Sequence, residues 1–221
     1  MRRSKAWLAS EPLAVKTRNR HLGYIRNVFS LAEEWNLIDA DPFKKVNGFD
    51  DRHAKARQVA ILTPEQLAAL LRAAAPDFIP YLALSAFSGL RREEIARLDW
   101  SEIKLDRSLI DLPYTKSKNR RRKLIEIPAN LRSWLLLCAV DAGAVKPRVN
   151  VQRALQTTAK AAGIVPWPQN GLRHSSCSYA VALKGFEWTA AQADHSVAML
   201  RKHYWEVVDR ETAERYWAIR P

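Results

Sequence analysis

Apolar residues recur with a helical period over most of this chain. Segment 14–37 carries one apolar stripe whose neighbouring members are three or four positions apart and therefore share one helix face. The stripe consists of Leu22, Ile25, Phe29, Ala32 and Trp35. The same spacing predicts helices over 128–140, 149–162, 172–183, 197–207 and 210–218, and we interpret the apolar segment 79–87 as a further helix. The hydrophobic pattern therefore predicts a mainly α protein.

Another helix is predicted from its start signal. Thr63 can cap a helix, Pro64 suits the first helical position, and Gln66 can reach back to the cap, so we expect a helix to about residue 75. After segment 79–87 comes Gly89, which places Arg91 in the first turn of the next helix. Free N–H groups at such a helix end favour bound anions.

Two short runs break the helical pattern. Segments 109–112 and 124–127 are apolar and partly alternating, which predicts two strands of a β-hairpin. The segment between them is strongly basic. Its cations are Lys116, Lys118, Arg120, Arg121, Arg122 and Lys123. A hairpin tip of this kind would press cations against a phosphate backbone. The predicted fold class is mainly α with a small β-hairpin or sheet.

A polar run divides the chain. Asp41-Pro42 ends the first helical unit, and residues 50–55 have the composition of a linker. We expect a helical unit over 1–50, a linker over 51–60 and a second domain over 61–221. A unit of about 50 residues is marginal as an independent core, so we interpret the first unit as part of a larger helical domain in a truncated chain. Natural compactness, or a second chain, is the alternative.

Composition indicates a polyanionic partner. The 221 residues include 36 Lys and Arg against 23 Asp and Glu, a formal charge of +13 with a sequence pI near 10.0. Nucleic acid is the obvious candidate. The chain is 48% hydrophobic, enough for one core plus a small satellite domain.

Several other classes of site lack their sequence signals. Cys138 and Cys177 are too few for a disulfide framework, and we expect both to be reduced. Neither they nor the five histidines have close metal-ligand spacing, and no glycine-rich phosphate loop occurs. No apolar run approaches about 18 residues, and no signal core follows the basic N-terminus. We expect no metal, no cofactor, no membrane association and a cytoplasmic protein.

Two arginines share a similar local setting although they lie far apart. Arg91 follows Ser-Gly-Leu at 88–90, and Arg173 follows Asn-Gly-Leu at 170–172. Rigid guanidinium forks bind phosphate oxygens by bidentate hydrogen bonds. His195 precedes Tyr204 by nine positions. Because the reference pKa of tyrosine is about 10, its phenol attacks phosphorus usefully only where cations favour the phenolate. The combination predicts phosphoryl transfer.

These motifs resemble those of the tyrosine recombinase, or phage integrase, family over residues 55–217. The family signature is Gly-Leu-Arg-x-x-Glu-Leu, a hairpin lysine, His-x-Leu-Arg-His, and Gly-His followed by a tyrosine. Here the separated motifs occur in the family's order and spacing. The resemblance implies the tyrosine recombinase catalytic-domain fold, preceded by a partial core-binding domain in residues 1–50, and no requirement for a metal.

The resemblance also implies roles for individual residues. Arg91, Arg173 and His195 hold the phosphate oxygens, Glu94 steadies the surroundings of Arg91, and Tyr204 is the nucleophile.

The basic hairpin is expected to supply a proton donor and contacts to DNA. By family position Lys116 donates a proton to the departing 5′ oxygen, with Lys118 as the alternative. Together with Lys118, the remaining cations contact the DNA backbone. They are Arg120, Arg121, Arg122 and Lys123.

One position departs from the family pattern. Asn170 stands three residues before Arg173, where the family most often has histidine. Asparagine donates hydrogen bonds but does not titrate, so it could position the phosphate without acting as a base. His174 would point about 100° away from Arg173 on a helix, and we do not expect it to replace the missing base.

The resemblance therefore implies a site-specific DNA recombinase or integrase that forms a 3′-phosphotyrosyl intermediate on double-stranded DNA. Family members act as homotetramers on DNA, and a monomer is the alternative for the free protein. Segment 209–221 could then dock on a neighbouring protomer or fold back on its own core. Two other functions stay open: a DNA-binding protein of this fold without the chemistry, and a related type I topoisomerase.

Overall fold

The computed structural model of the protein describes residues 2–50 and 59–221. The chain divides into two compact units, with the boundary between Arg57 and Gln58. Most of the expected linker, residues 51–58, lies outside the described residues.

The first unit is a pair of helices with a returning segment. Helix α1 spans Arg2–Ser10 and was not predicted, whereas α2 spans Val15–Glu34 as the apolar stripe indicated. Leu8, Leu22 and Phe43 form its small buried core. The expected stripe ends earlier than its pattern suggested, because Trp35 follows α2 and is 65% exposed.

The second unit contains eight α-helices and one sheet among the described residues. The helices are α3 Pro64–Arg72, α4 Ile79–Phe87, α5 Arg92–Arg97, α6 Ala129–Leu136, α7 Val151–Ala161, α8 Gly171–Ala193, α9 Val197–His203 and α10 Arg210–Trp217. Helix α3 begins with the expected capping box between Thr63 and Gln66. The mainly α fold class with a small sheet is confirmed.

The sheet is antiparallel with the strand order β1-β2-β3. Strand β1 spans Ile103–Lys104, β2 spans Leu109–Leu112, and β3 spans Lys123–Glu126. The predicted hairpin is therefore present, with β3 beginning one residue earlier than expected and β1 added at its edge. In the register, Leu112 pairs with Lys123, which draws the last of the six hairpin cations into the base of the hairpin.

Helix α4 is the centre of the main core. Every residue from Pro80 to Phe87 is buried, and α4 packs against both α6 and α8. Helix α10 packs on α8 of the same chain, where the rings of Tyr216 and Tyr179 stack at 4.1 Å. The Tyr216 hydroxyl also donates to the Ala86 carbonyl at 2.7 Å. Helix α10 of segment 209–221 therefore packs on the core of its own chain.

Two glycines shape the part of the fold that carries the candidate site. Gly89 has a φ of 69°, and a Cβ there would lie 3.7 Å from the Cα of Ala193, so the turn after α4 lies directly against the end of α8. Gly185 has a φ of 82° and kinks α8, whose second half extends beyond the predicted end at residue 183. That half leads the chain back to the turn before α9.

None of the helices in the described part of the chain has the length and apolar character needed to span a bilayer.

Candidate active site

Arg91 caps the start of α5 and is held by two carboxylates. Its backbone N–H donates to Glu94 Oε2 at 3.0 Å, which fixes the helix start that the sequence predicted. Its Nη1 donates to Asp194 Oδ2 at 2.8 Å and to Glu94 Oε1 at 3.3 Å. Its Nη2 donates to the Asp194 backbone carbonyl at 2.8 Å. Arg91 therefore joins the start of α5 to the turn after α8.

Arg173 lies in the first turn of α8 and points to the same place. Its Nη1 donates to the Gly89 carbonyl, and its Nη2 donates to the Ala193 carbonyl at 2.6 Å and to His195 Nε2 at 2.9 Å. Its Nε is buried and has no hydrogen-bond partner within the described residues. The two arginines expected to hold one anion are thus brought together, and one donor of Arg173 is left over.

Tyr204 ends α9 beside this pair. Its ring centroid lies 4.3 Å from that of His195 and 5.4 Å from the guanidinium carbon of Arg173. His174 also contacts the tyrosine, edge to face at 5.4 Å, so its ring packs against Tyr204. The structure therefore brings together Arg91, Arg173, His195 and Tyr204.

Lys123 is the hairpin cation that reaches this cluster. Its ammonium lies 2.5 Å from Glu94 Oε1 and 2.9 Å from Asp194 Oδ2. Lys116, which the family position favours, instead pairs with Glu102 at 2.7 Å. The structure does not bring Lys116 to the cluster. Lys118 is exposed and lines the adjoining cleft, while its backbone N–H donates to Glu94 at 3.3 Å.

The other expected site residues lie outside the cluster. Asn170 precedes α8 in a left-handed conformation and is exposed, and its side chain makes no capping hydrogen bond. Arg120 and Arg121 are exposed on the hairpin, whereas Arg122 makes a two-point ion pair with Asp111 at 2.6 and 2.8 Å. The hairpin therefore presents exposed cations at its tip, next to the ion-paired Lys123 at its base.

An open cleft of about 530 Å³ lies over the cluster. Its lining residues are Arg91, Lys118, Asn119, Ala190, Ala191, Asp194, His195, Ser196, Met199 and Tyr204. Because an arginine, a lysine, a histidine and a tyrosine share one solvent-accessible wall, a backbone phosphate could reach all of them from outside.

Burial and the nearby cations leave His195 neutral. Burial, together with the nearby cations Arg173 and Arg91, lowers the pKa of His195 to about 4. Arg173 donates to its Nε2, which therefore acts as an acceptor. Burial would raise the pKa of the Glu94 carboxyl, but hydrogen bonds from Lys123 and from the Arg91 backbone hold that pKa below its usual value. The site can thus offer a neutral imidazole beside fixed cations.

The lowered pKa of His195 predicts a specific dependence of stability on pH. Between about pH 6.5 and pH 4, the unfolded chain binds a proton on this residue and the folded chain does not, so the wild-type protein loses stability as the pH falls through that window. The His195→Gln variant cannot titrate there. After allowance for the partial exposure of the ring, we expect its loss of unfolding free energy between pH 7.5 and pH 5 to be about 1 kcal/mol smaller. Urea denaturation at both pH values measures the difference, and parallel profiles for the two proteins would contradict the assignment.

Comparisons with known proteins fit this geometry. No protein-family model matches the chain. The integrase of Salmonella phage P22 is 26% identical over 192 residues, which cover 77% of this chain and 48% of that protein. The chain therefore spans about half the length of this curated relative.

Solved structures show the same fold at low sequence identity. The XerA recombinase has a TM-score of 0.57 at 18% identity, covering 100% of this chain and 82% of its own. A lambda integrase dimer bound to a COC′ core site has a TM-score of 0.64 at 14% identity, covering 88% and 76%. The integrase of mycobacterium phage Brujita has a TM-score of 0.53 at 16% identity, covering 96% and 76%. The catalytic-domain fold of the tyrosine recombinases is confirmed, and with the P22 relative so is the predicted resemblance to that family.

Two residues of the cluster were missed by sequence reasoning. Asp194 and Asn119 are bonded to each other, Asn119 Nδ2 to Asp194 Oδ2, at 2.7 Å. A signal for Asp194 was present, because the family motif has glycine directly before its histidine and this chain has aspartate before His195. Asn119 had none, since a single polar residue in a basic hairpin tip does not reveal its partner.

Proposed function

We propose that this chain is a site-specific DNA recombinase or integrase that cuts and rejoins strands through a 3′-phosphotyrosyl intermediate. The observation that carries the proposal is the meeting of Arg91, His195 and Tyr204 at one open cleft, with Arg173 directly behind His195 and Tyr204. These side chains come from the start of α5, the start of α8, the turn before α9 and the end of α9.

The proposed reaction conserves the phosphodiester. The phenolic oxygen of Tyr204 bonds to phosphorus, the bond from phosphorus to the 5′ oxygen breaks, and the 5′ hydroxyl leaves with a proton. Arg91, Arg173 and His195 hold the non-bridging oxygens, whose charge is spread in the transition state. The phenolic proton passes to water in the open cleft, because the one acceptor nitrogen of neutral His195, Nε2, already accepts from Arg173. A hydroxyl of a partner strand then reverses the step, and no ATP is needed because the bond is retained.

The proton donor for the leaving oxygen is a hairpin lysine. The candidates are Lys116 by family position, its alternative Lys118, which lines the cleft, and Lys123 by its place in the cluster. Replacing the true donor with alanine is expected to slow cleavage about 10²- to 10³-fold, the usual range for general acid catalysis. Replacing a candidate lysine that is not the donor should have a small effect. A substrate with sulfur in place of the 5′ bridging oxygen separates the roles, because a thiolate leaves without protonation. The donor variant alone should recover its rate on that substrate. A variant that stays slow on both substrates has lost phosphate binding instead.

Double-stranded DNA is the proposed partner. The net charge of +13 and the exposed cations at the hairpin tip favour phosphate backbones. The lambda integrase dimer, whose fold is similar, is bound to a COC′ core site. We further propose that residues 1–50 are part of a core-binding domain and that the protein assembles as a homotetramer on DNA.

A covalent-capture selection tests the proposal without knowledge of the target site. The protein is incubated with a pool of duplexes in which the sequence is randomised and one strand is nicked, so that the short fragment carrying the new 5′ hydroxyl diffuses away after cleavage. Complexes that survive SDS are sequenced. The proposal predicts enrichment of a common sequence. Binding of DNA without any SDS-resistant complex would favour the non-catalytic alternative, and relaxation of supercoiled plasmids without sequence preference would favour the topoisomerase.

A further inference from the structure

The carboxylate of Asp194 occupies the point on which the donors of the cleft converge. Its Oδ2 lies 2.8 Å from Arg91 Nη1, 2.9 Å from Lys123 Nζ and 2.7 Å from Asn119 Nδ2. These three donors come from the residue before α5, from β3 and from the hairpin tip. One anionic oxygen thus receives a cationic arginine, a cationic lysine and an amide. A phosphate oxygen in the same cleft would require the same donors.

A second carboxylate already holds these cations from behind. Glu94 contacts both Arg91 and Lys123, and its side chain is only 3% exposed, against 27% for Asp194. Backbone N–H groups of Arg91 and Lys118 anchor Glu94 in place. Glu94 is therefore sufficient to position the cations, while Asp194 lies on the solvent side, where an incoming anion arrives.

The local backbone does not require a carboxylate at this position. Asp194 has a φ of 53° and a ψ of 55°, a left-handed conformation that glycine adopts most readily and that asparagine and aspartate tolerate. The aspartate side chain adds a negative charge to a turn that glycine would form with less strain.

We propose that Asp194 is an internal substitute for the scissile phosphate, which fills the anion pocket of the free protein and which DNA must displace. This inference rests on the proposed function. A carboxylate and a phosphodiester each carry one negative charge, so the exchange leaves the charge of the cluster unchanged. The free energy of phosphate binding at the pocket is then only the difference between two similar hydrogen-bond networks, one with Asp194 and one with the phosphate. Free anions are therefore excluded, and a phosphate enters when contacts elsewhere on the DNA hold it over the cleft.

The test uses inorganic phosphate as the probe and thermal unfolding as the readout, at pH 7 and constant ionic strength. Asp194→Asn keeps the shape of the side chain and its tolerance for the left-handed backbone while removing the charge. Asp106→Asn is the matched control, because Asp106 is exposed and makes one ion pair, with Arg107 at 3.6 Å. We expect Asp194→Asn to bind phosphate at least about tenfold more tightly than wild type, the scale of one partly exposed charge-assisted network. The Asp106→Asn protein should behave as wild type.

Asp194→Gly is the second variant, since glycine suits this backbone even if asparagine does not. Equal phosphate affinity in wild type and in both variants would overturn the proposal, and weaker binding in both would show that Asp194 positions the cations. Failure of both variants to fold would overturn it as well, because the residue would then be structural.

The covalent-capture selection, run with the wild type and with each variant, separates this inference from the proposed function. If the variants bind phosphate more tightly but no protein forms an SDS-resistant complex, the result supports the role of Asp194 in the anion pocket and contradicts the recombinase proposal. If the wild type cleaves DNA in a Tyr204-dependent way but the Asp194 variants bind phosphate no more tightly, the result supports the recombinase proposal and contradicts the role of Asp194.

Discussion

The Arg173→Lys variant should form the covalent DNA complex about 10²- to 10³-fold more slowly than the wild-type protein. Arg173 donates to three protein acceptors, on Gly89, Ala193 and His195, and its buried Nε has no partner in the part of the chain that the structure describes. A lysine ammonium is a point charge with three donors and no planar fork, so it cannot hold this frame and a phosphate together. Losing a donor aimed at developing charge lowers rates by about this amount. Single-turnover trapping on a selected nicked duplex measures the rate.

The control for this variant is Arg122→Lys. Arg122 also makes a two-point contact with a carboxylate, that of Asp111, but it lies exposed on the hairpin. Its replacement should change the trapping rate by less than about threefold, the scale of an exposed ion pair. Because Arg173 also joins two turns of the fold, thermal unfolding of each variant must accompany the kinetics. Equal trapping rates for the folded Arg173→Lys protein and wild type would contradict the proposed role.

The Tyr204→Phe variant should form no covalent complex while it binds DNA within about twofold of the wild-type affinity. The change removes one oxygen and keeps the ring, whose faces and edges contact His195, His174 and the guanidinium of Arg173. The shape of the cleft is therefore preserved, and only the nucleophile is lost. SDS gels and equilibrium binding on the same selected duplex measure the two quantities.

Tyr114→Phe is the matched control, because Tyr114 is 63% exposed and lies in the hairpin segment away from the cluster. It should trap DNA as the wild type does. A Tyr204→Phe protein that still forms an SDS-resistant complex would show that another residue is the nucleophile.

The sequence predicted most of the fold because its signals are local. Helix α4 and strand β2 have the predicted bounds, since a continuous apolar run and a partly alternating one are short-range patterns. Helix α1 was missed because it offers few apolar positions with a helical period. The second half of α8 was missed because Gly185 interrupts the helical pattern, and packing against the turn at Gly89 restores the helix beyond it.

The sequence predicted the candidate site residues that lie in motifs of characteristic composition and spacing. It did not predict the residue whose position depends on the register of the hairpin strands. Arg91, Arg173, His195 and Tyr204 occur in motifs that fix their identities. The six hairpin cations carry no such signal, because a polar loop leaves the register weakly determined. Only the pairing of Leu112 with Lys123 shows which cation reaches Glu94. That choice depends on contacts across the fold.

Mapping the covalent bond to one peptide tests the central claim most directly. Cleavage after Lys202 and Arg210 releases the peptide 203–210, in which Tyr204 is the only hydroxyl-bearing side chain. After trapping on a selected nicked duplex, nuclease digestion and trypsin treatment, mass spectrometry should find this peptide carrying a nucleotide through a phosphate. An adduct on a different peptide, or an unmodified peptide 203–210 from an SDS-resistant complex, would contradict the assignment of Tyr204 as the nucleophile in this cleft.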